Sequence, residues 1–393
     1  MESSKTSGWK RKVSLMLGVT LFLLFVLEIG ATLYMGQTFE RGRFLGDNWI
    51  AVGRRDVDMG WANRAGASGH IAGSGLDYTV NINSLGFRDP ERTYAKPAGV
   101  KRVLVLGDSV TWGWGVDNGE RFSDLLEARL GEEVQVINMG VPGYGTGQQF
   151  WNLEKFGWRY EPDAVVLCLV LNDVLEAEMI EHYGMPKPRF ALGEDGEWFE
   201  ERPPGLATTA QTQGWTREMA WLQAHSAAVT LLTGKKAALG EGLDLDKIEY
   251  RDPGDQAREG IDRATRCISS PERATHYGLT RIAAACAERG LPLIVTSMAH
   301  KHDRYLYEPN HPMPAQAEGP DYMSSLAREV QAAGQSIGFQ TVSPDGVMLG
   351  LTKAGQRLHC GDGHPNALGH KVMADVLEPL LRKELQAQAQ APR

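Results

Sequence analysis

From residue 101 onward the chain alternates between short, almost wholly apolar runs and longer stretches whose apolar positions recur every three or four residues. The apolar runs are "RVLVLGD" (102–108), "VQVINMG" (134–140), "DAVVLCLVLND" (163–173), "LPLIVTSMA" (291–299) and "FQTVS" (339–343). Consecutive apolar residues over strand length fit strands covered on both faces. Helical periodicity runs from Phe122 to Leu130, from about Gly147 to Phe156, over "RATHYGLTRIAAACAERG" (273–290) and from Tyr322 to Ala333. Pro365 opens a last helix. Strand followed by helix, repeated, predicts an α/β fold with a central parallel sheet and right-handed crossovers.

The alternation lapses after Asp173. There "KPRFALGEDGEWFEERPPG" predicts a hairpin with a Gly-Glu-Asp-Gly turn, and "WTREMAWLQAHSAAVTLLTG" an amphipathic helix. The stretch of about 174–270 is read as an insertion after the third strand. Residues 36–100 are polar and rich in Gly and Arg, with alternating pieces such as "DYTVNINSLGF". They predict a linker and a small β-containing lead-in to the main domain of 101–385. The Ala/Gln-rich end, 386–393, predicts a frayed, disordered tail. No repeat of fixed period is present.

One stretch is long and apolar enough to change the picture: "VSLMLGVTLFLLFVLEIGATLYM", residues 13–35. As a helix rising about 1.5 Å per residue it spans roughly 35 Å, more than a hydrocarbon core of about 30 Å. The basic segment 1–12, with Lys5, Lys10, Arg11 and Lys12, keeps the N-terminus cytoplasmic and places the body in the periplasm or outside the cell. The length of the run and the lack of a small-x-small site favour an uncleaved single-pass transmembrane anchor over a cleaved signal peptide. Glu28 is read as the outer end of the span, the rival reading being a contact with a partner helix.

Composition narrows the partners. The formal charge is −8. Without residues 1–12 there are 37 basic against 48 acidic side chains, a net −11, which repels phosphate backbones and argues against nucleic acid. Four cysteines in 393 residues do not make a disulfide framework. Cys168, in mid-strand, reads as a buried apolar filler. Cys267 with Cys360 is the pair expected to bridge if the body lies in an oxidising compartment. Nothing in the sequence speaks to oligomeric state.

In an open parallel sheet, functional loops lie beyond the carboxyl ends of the strands. Gly107-Asp108-Ser109 follows the first strand, Asn138-Met139-Gly140 the second and Asn172-Asp173 the third. After the last comes "GDGHPNALGH", with Asp362 and His364. Ser109 is the candidate nucleophile at a strand-end glycine turn, the rival reading being a helix cap. A serine hydroxyl needs a neighbour to take its proton, and a histidine suits that task with an unperturbed pKa of about 6.5. His364 is the best placed, because Gly363 and Pro365 fix its turn. Asp173 reads as a helix cap, and Asp108 as a residue that shapes the turn.

These four blocks, in this order, resemble those of the SGNH (GDSL-type) hydrolases, which are esterases and acylhydrolases. The likeness covers about residues 101–382, minus the insertion. "NINSLGFRDPE" and "GDSVTWGWGV", together with the anchor, are similar to the membrane-anchored bacterial branch of that family. The resemblance implies a flavodoxin-like three-layer α/β/α fold. It also implies an oxyanion hole made by the backbone N–H groups of Ser109 and Gly140 and the side-chain amide of Asn172. The family pattern has an aspartate three residues before the histidine, where this chain has Gly361; Asp362 lies two before it. Two readings remain: Asp362 orients His364 as a triad carboxylate, or a Ser–His dyad works with a backbone carbonyl.

Acyl transfer of this kind calls for no cofactor and no metal. "AHKHDRY" (299–305), with His300, His302 and Asp303, has metal-binding residue types, but no second ligand cluster supports it, and it is read as a loop. The glycines of "GVPGYGTG" miss the dinucleotide spacing, and no G-x-S-x-G surrounds Ser109. Trp112, Trp114 and Tyr144 lie beside the site, where stacking on sugar or acyl groups and core packing are both open. The expected activity is hydrolysis of acyl esters, O-acetyl groups of cell-surface or exported polysaccharide among them. O-acyl transfer through the same first half-reaction stays open. So does a silent surface module binding glycan or protein.

Overall fold

The computed structural model describes residues 12, 16–30, 52–73, 76–177, 179, 181–182, 185–192, 197–201, 274–298, 304–306, 309–313 and 317–390. At its centre lie five strands: β5 (Lys101–Leu106), β6 (Val134–Asn138), β7 (Ala164–Val170), β12 (Leu293–Met298) and β13 (Gln340–Val342). Their order across the sheet is β6-β5-β7-β12-β13 and every pairing is parallel. In sequence rank this is 2-1-3-4-5, the flavodoxin-like winding, whose switch point falls between β5 and β7. The central strands β7 and β12 are buried at every position, whereas the edge strand β13 is only half-buried. That difference is why the central strands read as unbroken apolar runs.

Side chains alternate between two cores. Leu104 and Leu106 of β5 point to one face with Val165 and Leu167, where α4 (Thr146–Lys155), α6 (Ala274–Ala287) and α7 (Ser325–Ile337) cover them through Leu153, Ile282 and Val330. Val103 and Val105 point to the other with Val166 and Cys168, under α3 (Phe122–Leu130), α8 (Asp345–Lys353) and α9 (Ala367–Gln390). The result is three layers, α/β/α. Cys168 is buried as expected. The tail expected to fray from Gln386 is instead helical as far as Gln390. Alanine and glutamine are good helix formers, and Gln388 Nε2 donates to Gly290 O at 2.8 Å.

The lead-in is more than a linker. β1 (Gly53–Asp56) pairs with β2 (Gly60–Asn63), and β3 (Ser68–Gly73) with β4 (Leu76–Asn81), both antiparallel. Trp61, Ile71, Tyr78 and Val80 from these hairpins are buried in the first of the two cores. After β7 the chain turns into α5 (Leu171–Glu176) and forms the short pair β8 (Glu181–His182) and β9 (Met185–Pro186), then the expected hairpin of β10 (Arg189–Leu192) and β11 (Trp198–Glu201). Phe190 is buried among Phe150, Trp151 and Tyr277. The Gly-Glu-Asp-Gly turn and the amphipathic helix of the insertion lie outside the described residues, as do His300, His302, Asp303 and Cys267.

Residues 16–30 form helix α1, whose apolar side chains are exposed, Phe22 at 63% and Phe25 at 62%. Among the described residues no helix is long and apolar enough to cross a membrane. Glu28 is half-buried, and its charge acts on Arg64 of the lead-in. Cys360 carries a free thiol, its Sγ 3.8 Å from Gly115 O, and the bridge to Cys267 expected in an oxidising compartment involves a residue outside the described ones.

Candidate active site

β5 ends at the centre of the sheet and turns through Gly107 and Asp108 into the one-turn helix α2 (Ser109–Trp112). Gly107 sits at φ +153°, and a Cβ there would lie 2.9 Å from Cys168 O, so only glycine lets the turn lie against β7. The cap of α2 is Asp108, whose Oδ1 accepts from Val110 N at 2.9 Å. Ser109 therefore does not cap; it stands on the first turn, half-buried, beyond the strand end.

His364 arrives from the other end of the chain, just before α9. Its Nε2 lies 2.9 Å from Ser109 Oγ. Its Nδ1 lies 3.1 Å from Asp362 Oδ2, and its backbone N–H donates to Asp362 Oδ1 at 3.1 Å. The two-residue offset thus brings the carboxylate to the imidazole through a tight turn, with Gly363 at φ +90°. A carboxylate can only accept, so Nδ1 carries the hydrogen and Nε2 is the open acceptor for the serine proton. Burial pushes the Asp362 carboxyl up, but bonds and charge from His364, with the Trp114 N–H, outweigh it and hold the group at about 2.

Asn172, in the first turn of α5, faces Ser109 across the switch point. Its Nδ2 donates to Asp108 Oδ2 at 3.0 Å, and Ser109 Oγ lies 3.2 Å from the same oxygen. One amide hydrogen of Asn172 is left over. Asp173 Oδ2 accepts from Val170 N at 2.9 Å, the capping contact expected of it. Gly140 touches the other side of α2: a Cβ there would lie 2.8 Å from Thr111 C and still closer to Trp112 N. Its N–H donates to Asn138 Oδ1 at 3.0 Å in this resting arrangement.

The loop after Ser109 is held from the lead-in. Arg88, fully buried, donates to Gly113 O at 2.5 Å, Thr79 O at 2.7 Å and Val116 O at 2.7 Å, and lies 4.7 Å over the Trp112 ring. Burial, then Arg121, lower its pKa to about 9. Of the flanking aromatics, Trp112 and Tyr144 are core residues, bonded to Asn63 Oδ1 and Trp61 O. Trp114 is different. Its indole N–H donates to Asp362 Oδ2 at 3.0 Å. Asp108, read from the sequence as shaping the turn, also gathers Ser109 and Asn172 on one oxygen. Among the described residues no cluster of three or more His, Cys, Asp or Glu side chains could hold a metal ion.

An α/β/α protein with a hydroxyl, an imidazole and a carboxylate in line beyond its strand ends has the form of an acyl-ester hydrolase. A model of the GDSL-like Lipase/Acylhydrolase family matches residues 105–372, well over half of the sequence. The chain belongs to this family and is a hydrolase acting on ester bonds. No curated protein matches it significantly. Similar solved structures include LAE5, an alpha/beta hydrolase enzyme from the metagenome of Lake Arreo, at 17% identity over 72% of this chain and 95% of that one, TM-score 0.36. Axe2, an acetylxylan esterase from Geobacillus stearothermophilus, is 14% identical over 72% and 94%, TM-score 0.35. A carbohydrate acetylesterase family member from Sinorhizobium meliloti is 15% identical over 73% and 100%, TM-score 0.32.

Proposed function

We propose that this protein is a serine esterase in which Ser109 attacks the ester carbonyl, His364 moves the proton and Asp362 orients the imidazole. The observation that carries the reading is the chain of contacts from Ser109 Oγ to His364 Nε2 and from Nδ1 to Asp362, formed by segments 255 residues apart. In acylation, Oγ bonds to the carbonyl carbon and its hydrogen passes to Nε2. The ester C–O bond then breaks, and the leaving alcohol takes that hydrogen. Water repeats the sequence on the acyl-serine, giving its proton to Nε2 and releasing the acid. The oxyanion is met by the N–H groups of Ser109 and Gly140 and by the spare amide hydrogen of Asn172. Gly140 N–H must leave, or share, its bond to Asn138 for this.

The substrate follows from place. Residues 13–35 are proposed as an uncleaved membrane anchor that holds the hydrolase domain outside the cytoplasm. An esterase tethered there meets acylated surface or exported polysaccharide, and O-acetyl esters are its proposed substrates. The exposed apolar face of α1 and the similarity of "NINSLGFRDPE" to the anchored branch support this. The test is acetate release from p-nitrophenyl acetate and from O-acetylated polysaccharide by the full chain in detergent. Ser109→Ala should abolish release, and Asn172→Ala should cut kcat by about 100- to 1,000-fold. Unchanged rates in both variants refute the assignment. Transfer of acetyl to a sugar acceptor in preference to water would replace hydrolase by acyltransferase.

A further inference from the structure

Trp114 meets all three residues of the proposed triad. Its backbone N–H donates to Ser109 O at 3.0 Å. Its indole N–H donates to Asp362 Oδ2 at 3.0 Å, the same oxygen that faces His364 Nδ1. Its ring lies 5.7 Å from the imidazole, at 34° to it. Without the indole, both remaining donors to Asp362 come from His364 itself, two residues further on. The Asp362–His364 turn would then hold its own internal geometry, with no bond from the carboxylate to the segment that carries the nucleophile.

The geometry points to Trp114 as a positioning residue that locks the acid–base turn to the nucleophile turn and shares the negative charge of Asp362. This inference rests on the Ser109–His364–Asp362 reading above. Trp114 is itself fixed. Arg88 holds the carbonyls of Gly113 and Val116 on either side of it, and Trp112 and Tyr78 pack against its ring at 5.8 and 6.4 Å. An indole N–H is a permanent donor that does not titrate, so it braces a carboxylate at every working pH. A histidine or lysine in its place would titrate.

The test compares Trp114→Phe with the full-length wild-type chain on p-nitrophenyl acetate. Replacement of Trp114 by 3-benzothienylalanine, which keeps the ring shape and removes only the N–H, serves as a second variant that preserves packing. Both should lower kcat about tenfold with KM unchanged. Both should also move the acid limb of the kcat/KM profile to higher pH, because a carboxylate with one donor fewer favours the protonated imidazole. In an Asp362→Asn background, Trp114→Phe should change kcat less than twofold. A raised KM with unchanged kcat would make Trp114 a substrate contact and overturn the proposal. So would an unmoved acid limb or independent, multiplicative losses in the double variant. Ser109→Ala separates the two levels: if it stays active the triad reading itself falls, whereas an inactive Ser109→Ala beside an unaffected Trp114→Phe removes only the role of Trp114.

Discussion

Gly140 lies so close to α2 that replacing it gives a sharp, quantitative prediction. An alanine Cβ would sit 2.8 Å from Thr111 C and 2.9 Å from Thr111 Cβ, where carbon atoms rest at about 3.5–4.0 Å. The obstacle is mainly backbone, so no rotamer change relieves it. The loop after β6 and the helix α2 must separate by roughly 1 Å, and that gap opens between Ser109 and the loop proposed to donate to the oxyanion. A 1 Å misplacement of catalytic groups costs about 100-fold in rate, and overpacking of this size costs about 1–3 kcal/mol of stability. Gly140→Ala should therefore lose about 100-fold in kcat on p-nitrophenyl acetate at 25 °C while remaining folded by circular dichroism, with a melting temperature lowered by a few degrees. A variant with kcat within twofold of wild type and an unchanged melting temperature would show that close approach at Gly140 is not required.

Other outcomes follow from the same geometry. Asp362 is held at about 2 against an ordinary carboxyl value near 3.8. A depressed carboxyl stabilises the fold above the unfolded value and loses that contribution as pH falls through the folded one. Denaturant titrations should thus show about 2 kcal/mol of stability disappearing between roughly pH 4 and pH 2, and Asp362→Asn should remove that part of the pH dependence. Arg88→Met should lower stability by about 3 kcal/mol or more, because several buried carbonyls lose their donor at once. Chemical denaturation reads this directly, and a loss below about 1 kcal/mol would mean that water replaces the guanidinium.

Much of the fold was legible because burial on two faces leaves a plain mark. β7 and β12 have no solvent side, so their sequences cannot alternate. The strand-end loops were legible for a related reason: once the strand order is given, their Ser, Asn, Gly and His stand on one edge. Asp362 was ambiguous because an offset of two residues reaches the imidazole only through a particular turn, and no pattern of side chains states that turn. Trp114 was legible as a neighbour of the site but not as a donor to Asp362, and Arg88 was not legible as part of the site at all. The Trp114 partner lies 248 residues away, and a tryptophan among glycines reads equally as core. A fully buried arginine gives no periodic signal at all. It can be recognised only by the carbonyls it satisfies, which belong to a different segment.

The family match begins at residue 105, yet Arg88 and the hairpins before it are built into the same interior. A truncation that began at the family boundary would strip Trp61, Ile71, Tyr78 and Val80 from the hydrophobic interior and leave the segment after Ser109 without its donor. An enzyme that folds on its own should therefore begin no later than about residue 52. Homology boundaries in this protein mark where ancestry can be read, and the fold reaches at least about fifty residues further upstream.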